Sequence, residues 1–146
     1  MRRALIAFLV VGVSLGAVLT AGAGTTAGTT KLAAKLRGAN ERPAAKASNK
    51  GRAEFRLTPR TGKVCWEFTI AKIDGKPNQA HIHLGKRGVS GNVIVPLGAN
   101  YKRQGCTTAA KATVRAILKS PGAYYVNVHN AKHPAGAMRG QLVREA

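Results

Sequence analysis

The amino-acid sequence predicts an all-β domain, a Greek-key-like β-sandwich or a small barrel, with one short helix near residues 109–119. Two observations predict the strands. Apolar and polar residues alternate over residues 52–57 and 64–70, and short segments rich in turn-forming residues separate such stretches. Many short strands with short links are typical of a meander or Greek key that closes into a sandwich or barrel.

The elements can be taken in chain order. Residues 52–57 and 64–70 each place apolar side chains on one face, so both are expected to be half-buried strands. Residues 59–62 (Pro-Arg-Thr-Gly) are a turn sequence between them, and residues 74–77 (Asp-Gly-Lys-Pro) are another. Alternation resumes at residues 80–84, which we assign to a third strand.

The second half of the chain is read in the same way. A glycine-rich loop over residues 85–91 precedes a strand at 93–97, where Pro96 indicates an edge strand or an irregularity. Residues 107–119 are ambiguous, because their apolar positions fit a helical face while three threonines disfavour a helix; we assign the helix. Two further strands are then expected, residues 124–129 and 137–143, with a turn at 133–136 between them.

The chain begins with the features of a secretory signal. Arg2 and Arg3 precede an apolar run over residues 4–19, and small residues follow at 21–23. The apolar run falls short of the roughly 20 residues that a membrane-spanning helix needs. We therefore expect export through the general secretory route.

Export sets the expected domain organisation. Residues 1–23 are expected to be removed as a signal peptide, residues 24–30 to be a flexible Gly/Ala/Thr tether, and residues 31–146 to form one β domain. No transmembrane span is expected after cleavage. The mature protein should be secreted and extracellular or associated with the cell wall.

The charge of the chain is strongly positive. The sequence has 24 basic and 5 acidic residues, a net charge of +19, and the loss of Arg2 and Arg3 with the signal leaves +17. Such a surface attracts polyanions, so an anionic cell-surface polymer is a candidate partner. The basic residues are dispersed and form no nucleic-acid motif, so no specific nucleic-acid partner is expected.

Cys65 and Cys106 are the two cysteines of the sequence. An exported protein with an even number of cysteines usually pairs them, so we expect one disulfide. The alternative, a thiolate metal ligand or nucleophile, is disfavoured in an oxidising compartment.

Three blocks of sequence carry a family resemblance. They are Leu-Arg-Gly-Ala-Asn-Glu-Arg-Pro at 36–43, Ala-His-Ile-His-Leu-Gly at 80–85, and Tyr-Val-Asn-Val-His at 125–129 followed by Arg-Gly-Gln-Leu at 139–142. The chain resembles the CHRD domain, which was first described in chordin. The resemblance implies an all-β extracellular binding or structural module, with an unknown protein as a further candidate partner and no evident catalytic activity. Chordin's growth-factor binding belongs to separate cysteine-rich modules, which this chain lacks, and is not carried over.

Three histidines suggest a metal site. His81 and His83 lie two apart on a strand, so their imidazoles leave the same face while Ile82 points to the core. His129 lies on another predicted strand, and if the two strands meet, three imidazoles converge into an open copper or zinc site. The His-X-His pattern also resembles the metal-binding strand of copper-zinc superoxide dismutases, so metal-dependent redox activity of that kind is the one enzymatic alternative. Asp74 is the only aspartate available for a second metal site.

The alternative for the same histidines is structural. His81, His83 and His129 would then hydrogen-bond the glycine-rich loop and neighbouring backbone, as buried polar residues must. His133, in a predicted turn, is expected to be exposed.

Two further expectations concern packing. Glu41 and Arg139 lie near the two ends of the domain, and we expect a partly buried ion pair if the terminal strands meet, or two unrelated surface charges if they do not. The aromatic residues at 66, 68, 124 and 125 alternate along strands and are expected in the core.

Overall fold

A computed structural model describes residues 28–145, so the predicted signal peptide lies outside the described residues. The described residues form nine strands and one α-helix. These are β1 (Thr30–Arg37), β2 (Lys50–Thr58), β3 (Lys63–Lys72), β4 (Pro77–Leu84), β5 (Val93–Pro96), β6 (Gln104–Thr108), α1 (Lys111–Lys119), β7 (Tyr124–Asn130), β8 (His133–Gln141) and β9 (Val143–Arg144). Short 3-10 turns follow β1 and precede β7. Among these residues, no helix has the length and apolar character that crossing a membrane requires.

The strands form one antiparallel sheet that closes almost completely into a barrel. Their order is β5-β4-β7-β8-β1-β2-β3-β6, and β9 pairs with β1. The predicted all-β class and the small barrel are therefore confirmed. Because β8 lies beside β1, the sheet brings the two ends of the domain together.

The barrel interior is filled by the apolar halves of the alternating strands. Leu57, Phe55 and Phe68 are among the buried side chains, and the rings of Phe55 and Phe68 meet edge to face. Helix α1 closes the core with Val114, Ile117 and Leu118, which lie on one face at helical spacing. The strands predicted from alternation over residues 52–57 and 64–70 lie within β2 and β3.

The predicted short helix near residues 109–119 is confirmed as α1, which begins at Lys111. Residues 107–108 of the ambiguous stretch end strand β6 instead, where Cys106 pairs with Cys65 of β3 and a disulfide joins the two, with their Cα atoms 4.0 Å apart. The predicted turn at residues 133–136 is wrong, because these residues belong to β8.

The position of the last hairpin has a local cause. The backbone N–H of His133 donates to the Asn130 side-chain oxygen at 2.8 Å, so the chain reverses at residues 131–132.

The first strand was not predicted at all. It begins at Thr30, the last residue of the predicted tether. Pro96, as expected, lies in an edge strand.

Candidate metal centre

Buried polar side chains lie on the outer face of β4, β7 and β8. Ile82 and Val128 point into the barrel, so the residues that alternate with them point outward. An antiparallel sheet commonly packs one face on the core and leaves the other in contact with water. Here the loops that follow β1 and β4 cover the polar side chains of the outer face. The polar layer consists of Glu41, His83, Asn127, His129 and Arg139, each less than 10% exposed.

Strand register brings the three predicted histidines together in this layer. In the pairing of β4 with β7, His81 lies opposite Asn127 and His83 lies opposite Tyr125, while His129 is the next outward residue of β7. The imidazole rings of His81 and His129 have their centres 4.9 Å apart. One ring nitrogen from each of the three histidines lies within 4.8 Å of the other two.

The glycine-rich loop fixes the orientation of His83. Its Nδ1 lies 2.8 Å from the Gly91 carbonyl oxygen, which can only accept, so Nδ1 carries the proton. The Nε2 atom is then an unprotonated nitrogen, and it is buried with no hydrogen-bond partner. A β-carbon at Gly91 would overlap the Leu84 carbonyl, so the close approach of this loop to the sheet requires glycine.

His129 is oriented in the same way by strand β8. Its Nδ1 lies 2.9 Å from the Pro134 carbonyl oxygen and must donate to it, which leaves Nε2 as a lone pair. That Nε2 lies 3.1 Å from His81 Nδ1, which can donate to it, and 2.9 Å from the Asn127 side-chain oxygen, which only accepts. With Nδ1 protonated, the neutral ring has no proton for this oxygen, so the pair requires the Asn127 amide turned by 180° to present its NH₂ group. With their protons on Nδ1, His83 and His129 each direct Nε2 into the cluster.

Burial keeps the three imidazoles neutral. Burial, together with the neighbouring His129 and His83, lowers the pKa of His81 to about 4. Burial also lowers the pKa of His83 and that of His129, against the opposing effect of their hydrogen bonds to backbone carbonyls. At neutral pH all three rings can therefore offer a nitrogen lone pair.

Comparison with known proteins identifies the domain. A family model, the CHRD domain, matches residues 32–142, which is most of the chain. The chain belongs to the CHRD domain family. No match is found among the curated proteins or among the solved structures.

The matched region of this CHRD domain contains all five residues of the polar layer and both cysteines. The family resemblance read from the sequence is confirmed. What the family membership supports is a binding or structural module; it adds nothing about a metal.

A stack of three side chains links the histidines to the rest of the layer in this CHRD domain. The rings of His83 and Tyr125 are parallel within 8° with centres 4.8 Å apart, and the Arg139 guanidinium lies 4.6 Å above the Tyr125 ring. Tyr125 also accepts a hydrogen bond from the Gly91 N–H at 3.2 Å. It was expected in the core, but it packs on the outer face, where it supports the imidazole of His83.

Glu41 and Arg139 lie in contact in the same layer. Arg139 Nε is 3.6 Å from a Glu41 carboxylate oxygen, and both side chains are almost fully buried. Arg139 donates instead to the Asn40 carbonyl at 2.6 Å, and the other Glu41 oxygen has no partner. Burial raises the pKa of Glu41 to about 7 although the Arg139 charge acts in the opposite direction, so desolvation outweighs the attraction here.

His133 was expected to be exposed, and this was wrong. Its Nε2 lies 3.0 Å from a carboxylate oxygen of Asp74, whose other oxygen accepts from Asn49 at 2.7 Å. The hydrogen bond from Asn49 and then that from His133 lower the pKa of Asp74 to about 2. Both residues lie outside the histidine cluster, so Asp74 contributes no ligand to it.

Sequence reasoning found the three histidines and, as one alternative, expected hydrogen bonds to the glycine-rich loop and neighbouring backbone, which His83 makes to Gly91 and His129 makes to Pro134. It missed the side chains that also contact the rings. Asn127 contacts His129 through its amide, and Tyr125 stacks its ring on His83. A carbonyl has no side-chain signature, so the particular carbonyl that each ring contacts can be recognised only once the loop is placed against the strand.

Proposed function

We propose that this CHRD domain is an exported binding module whose ligand is a copper or zinc ion held by His81, His83 and His129. The observation that carries the proposal is the convergence of three imidazole nitrogens within 4.8 Å of one another. Family membership supports the coarser statement, a binding or structural module, and the Cys65–Cys106 disulfide is consistent with an extracellular location.

The donor set suits these metals. Neutral imidazoles bind copper and zinc well, and three protein ligands leave a coordination position for water or a substrate group. His81 is partly exposed, unlike His83 and His129, so the cluster has a side through which an ion can enter. A backbone carbonyl behind a ligating histidine is the usual outer-shell partner, and both buried rings have one.

The structural and the metal-binding interpretations of these histidines are compatible. The hydrogen bonds to Gly91 and Pro134 use the Nδ1 atoms of His83 and His129, so the Nε2 atoms face the cluster. A metal would take the place of the contacts that His129 Nε2 makes with His81 and Asn127. A buried nitrogen without a partner, as at His83 Nε2, costs about 1–3 kcal/mol. A metal ion would remove that cost, which a purely structural role does not.

Calorimetric titration tests the proposal. Mature protein without a polyhistidine tag is titrated with Zn²⁺ and with Cu²⁺ at pH 7.5, and one ion per chain is expected to bind with micromolar or tighter affinity. His81→Ala is the main variant, because His81 is the least buried of the three and its loss should leave the fold intact. We expect it to weaken binding at least about tenfold, as loss of a ligand does.

The fourth histidine provides the matched control. His133→Gln removes an imidazole that contacts Asp74 and lies outside the cluster, so metal affinity should stay within about twofold of the wild type. Absence of binding tighter than micromolar, or equal binding by His81→Ala and the wild type, would refute the metal proposal. The proposal is limited to metal binding and includes no catalysis. Superoxide dismutation assays of the copper-loaded wild type and of His81→Ala test that limit. A higher rate for the wild type would show that the bound copper is catalytic.

A further inference from the structure

A continuous basic groove runs across the domain beside the polar layer. It is made of three adjoining cavities. The first contains Arg42, Arg87 and Arg139, and the second shares Arg87 with it and adds Lys35 and Arg37. The third shares Lys35 and Arg37 and adds Lys50 and Arg52. We call this feature the basic groove.

The cavity at one end of the groove is a partly open, anion-sized space of about 90 Å³. Arg42 and Arg87 are exposed, whereas Arg139 is almost fully buried, and its Nη2 atom has no hydrogen-bond partner. A buried guanidinium nitrogen without an acceptor is unfavourable, and an anionic group in this cavity could supply one. Glu41 contacts Arg139 but does not line the cavity, so the lining is positively charged.

The sheet under the rest of the groove shows an arrangement of charge that costs stability. In the pairing of β1 with β2, Lys35 lies opposite Arg52 and Arg37 lies opposite Lys50. All four side chains are exposed on the same face and line the groove, and like charges placed directly opposite one another repel. Arg52 is compensated by Glu54 and Glu145. An extended anion on this face would offset the remaining repulsion.

The polar residues of the groove favour a sugar over a nucleotide. The amide nitrogens of Asn40 and Gln141 already donate to backbone carbonyls, so their oxygens remain to accept hydrogen bonds from hydroxyl groups. Both residues line the two cavities at the arginine end. Among the described residues that line the three cavities there is no aromatic side chain on which a nucleic-acid base could stack.

From these observations we infer that the basic groove binds an acidic polysaccharide. Its carboxylate groups would pair with the arginines and lysines, and its hydroxyl groups would donate to Asn40 and Gln141. The site is separate from the three histidines and does not depend on a bound metal.

Polygalacturonate is a suitable probe, with binding to the full mature chain measured by calorimetry at low and at moderate salt. Arg42→Gln/Arg87→Gln and Lys35→Gln/Arg37→Gln each remove two positive charges from the groove. We expect each pair to weaken binding about tenfold or more, and added salt to weaken binding by the wild type. Lys111→Gln/Arg115→Gln removes the same charge from the exposed face of α1, outside the three cavities, and should have an effect of less than about twofold.

Three results would overturn the inference. The first is equal weakening by the α1 pair and the groove pairs, which would show that only net charge matters. The second is tighter binding of single-stranded DNA than of polygalacturonate, which would favour a nucleic acid. The third is binding of inorganic polyphosphate, which has no hydroxyl groups along its chain, as tight per charge as that of polygalacturonate. All the substituted residues are exposed, and the buried Arg139 is left unchanged so that the variants fold.

Discussion

Replacement of Gly136 by alanine tests whether the space around the buried Glu41 carboxylate is too small for an added methyl group. Gly136 has a φ of +138°, a backbone conformation that residues with a β-carbon avoid. A β-carbon there would lie 2.5 Å from the carboxylate carbon and from both oxygens of Glu41. Glu41 is only 2% exposed, so it has little room to move away.

The cost of Gly136→Ala has two parts. The disfavoured backbone conformation contributes about 1–3 kcal/mol, and the overlap with Glu41 contributes about the same again. A total of about 2–6 kcal/mol lowers the melting temperature by roughly 8–24 °C in a domain of this size. Scanning calorimetry of the wild type and the variant measures the difference directly.

Two controls separate the two parts. Gly122→Ala is a matched change at an exposed glycine whose β-carbon would meet nothing within 4 Å, and it should leave the melting temperature nearly unchanged. In a Glu41→Ala background the overlap is gone, so Gly136→Ala should cost only its backbone part. A melting temperature within 3 °C of the wild type, roughly 1 kcal/mol, for Gly136→Ala would refute the reasoning. So would a cost that stays the same without Glu41.

Two other predictions concern stability. Cys65→Ser/Cys106→Ser opens a loop with a sequence separation of 41 residues and should destabilise the domain by about 4 kcal/mol. Reductant added to the wild type should have the same effect. An unchanged melting temperature in both experiments would contradict the prediction. Glu41 has a pKa raised from 4.5 to about 7, so the folded state holds a proton that the unfolded state releases, and its contribution to stability falls as pH rises from 4.5 through 7. Urea unfolding of wild type and Glu41→Gln should show the wild type losing about 3 kcal/mol relative to the variant between pH 4.5 and pH 8, and a constant difference across that range would contradict the burial argument.

Strands whose two faces differ in environment were the predictable part of this fold. In β2 and β3 one face meets the core and the other meets solvent, so alternation is visible in the sequence. In β1 the run Leu32–Ala33–Ala34 is buried on both faces, since Leu32 and Ala34 join the core and the outward Ala33 is also buried, so alternation is lost. Strand β6 is short and largely exposed, and what positions it is its pairing with β3 and the disulfide.

The candidate site was predictable in its ligands and unpredictable in its environment. Two-residue spacing places His81 and His83 on one face from sequence alone, and the phase of His129 does the same on its own strand. Whether that face is solvated depends on loops that fold back from distant parts of the chain, which no local pattern encodes. For this reason the position of Tyr125 and the contact of His133 with Asp74 could not be predicted.

The burial of the polar layer is what makes its chemistry depend on a ligand. An open cluster of three histidines could be solvated and would need no metal, and an exposed arginine could exchange its acceptors for water. Here His83 Nε2 and Arg139 Nη2 both lack a hydrogen-bond partner, and they belong to the two outer members of one stack with Tyr125 between them. An unpaired acceptor thus lies on one side of the Tyr125 ring and an unpaired donor on the other, where the unpaired oxygen of Glu41 also lies beside Arg139. A cation at His83 Nε2 and an anion at Arg139 Nη2 would satisfy both atoms. Two separate ligand sites therefore account for these unsatisfied groups better than a single site does.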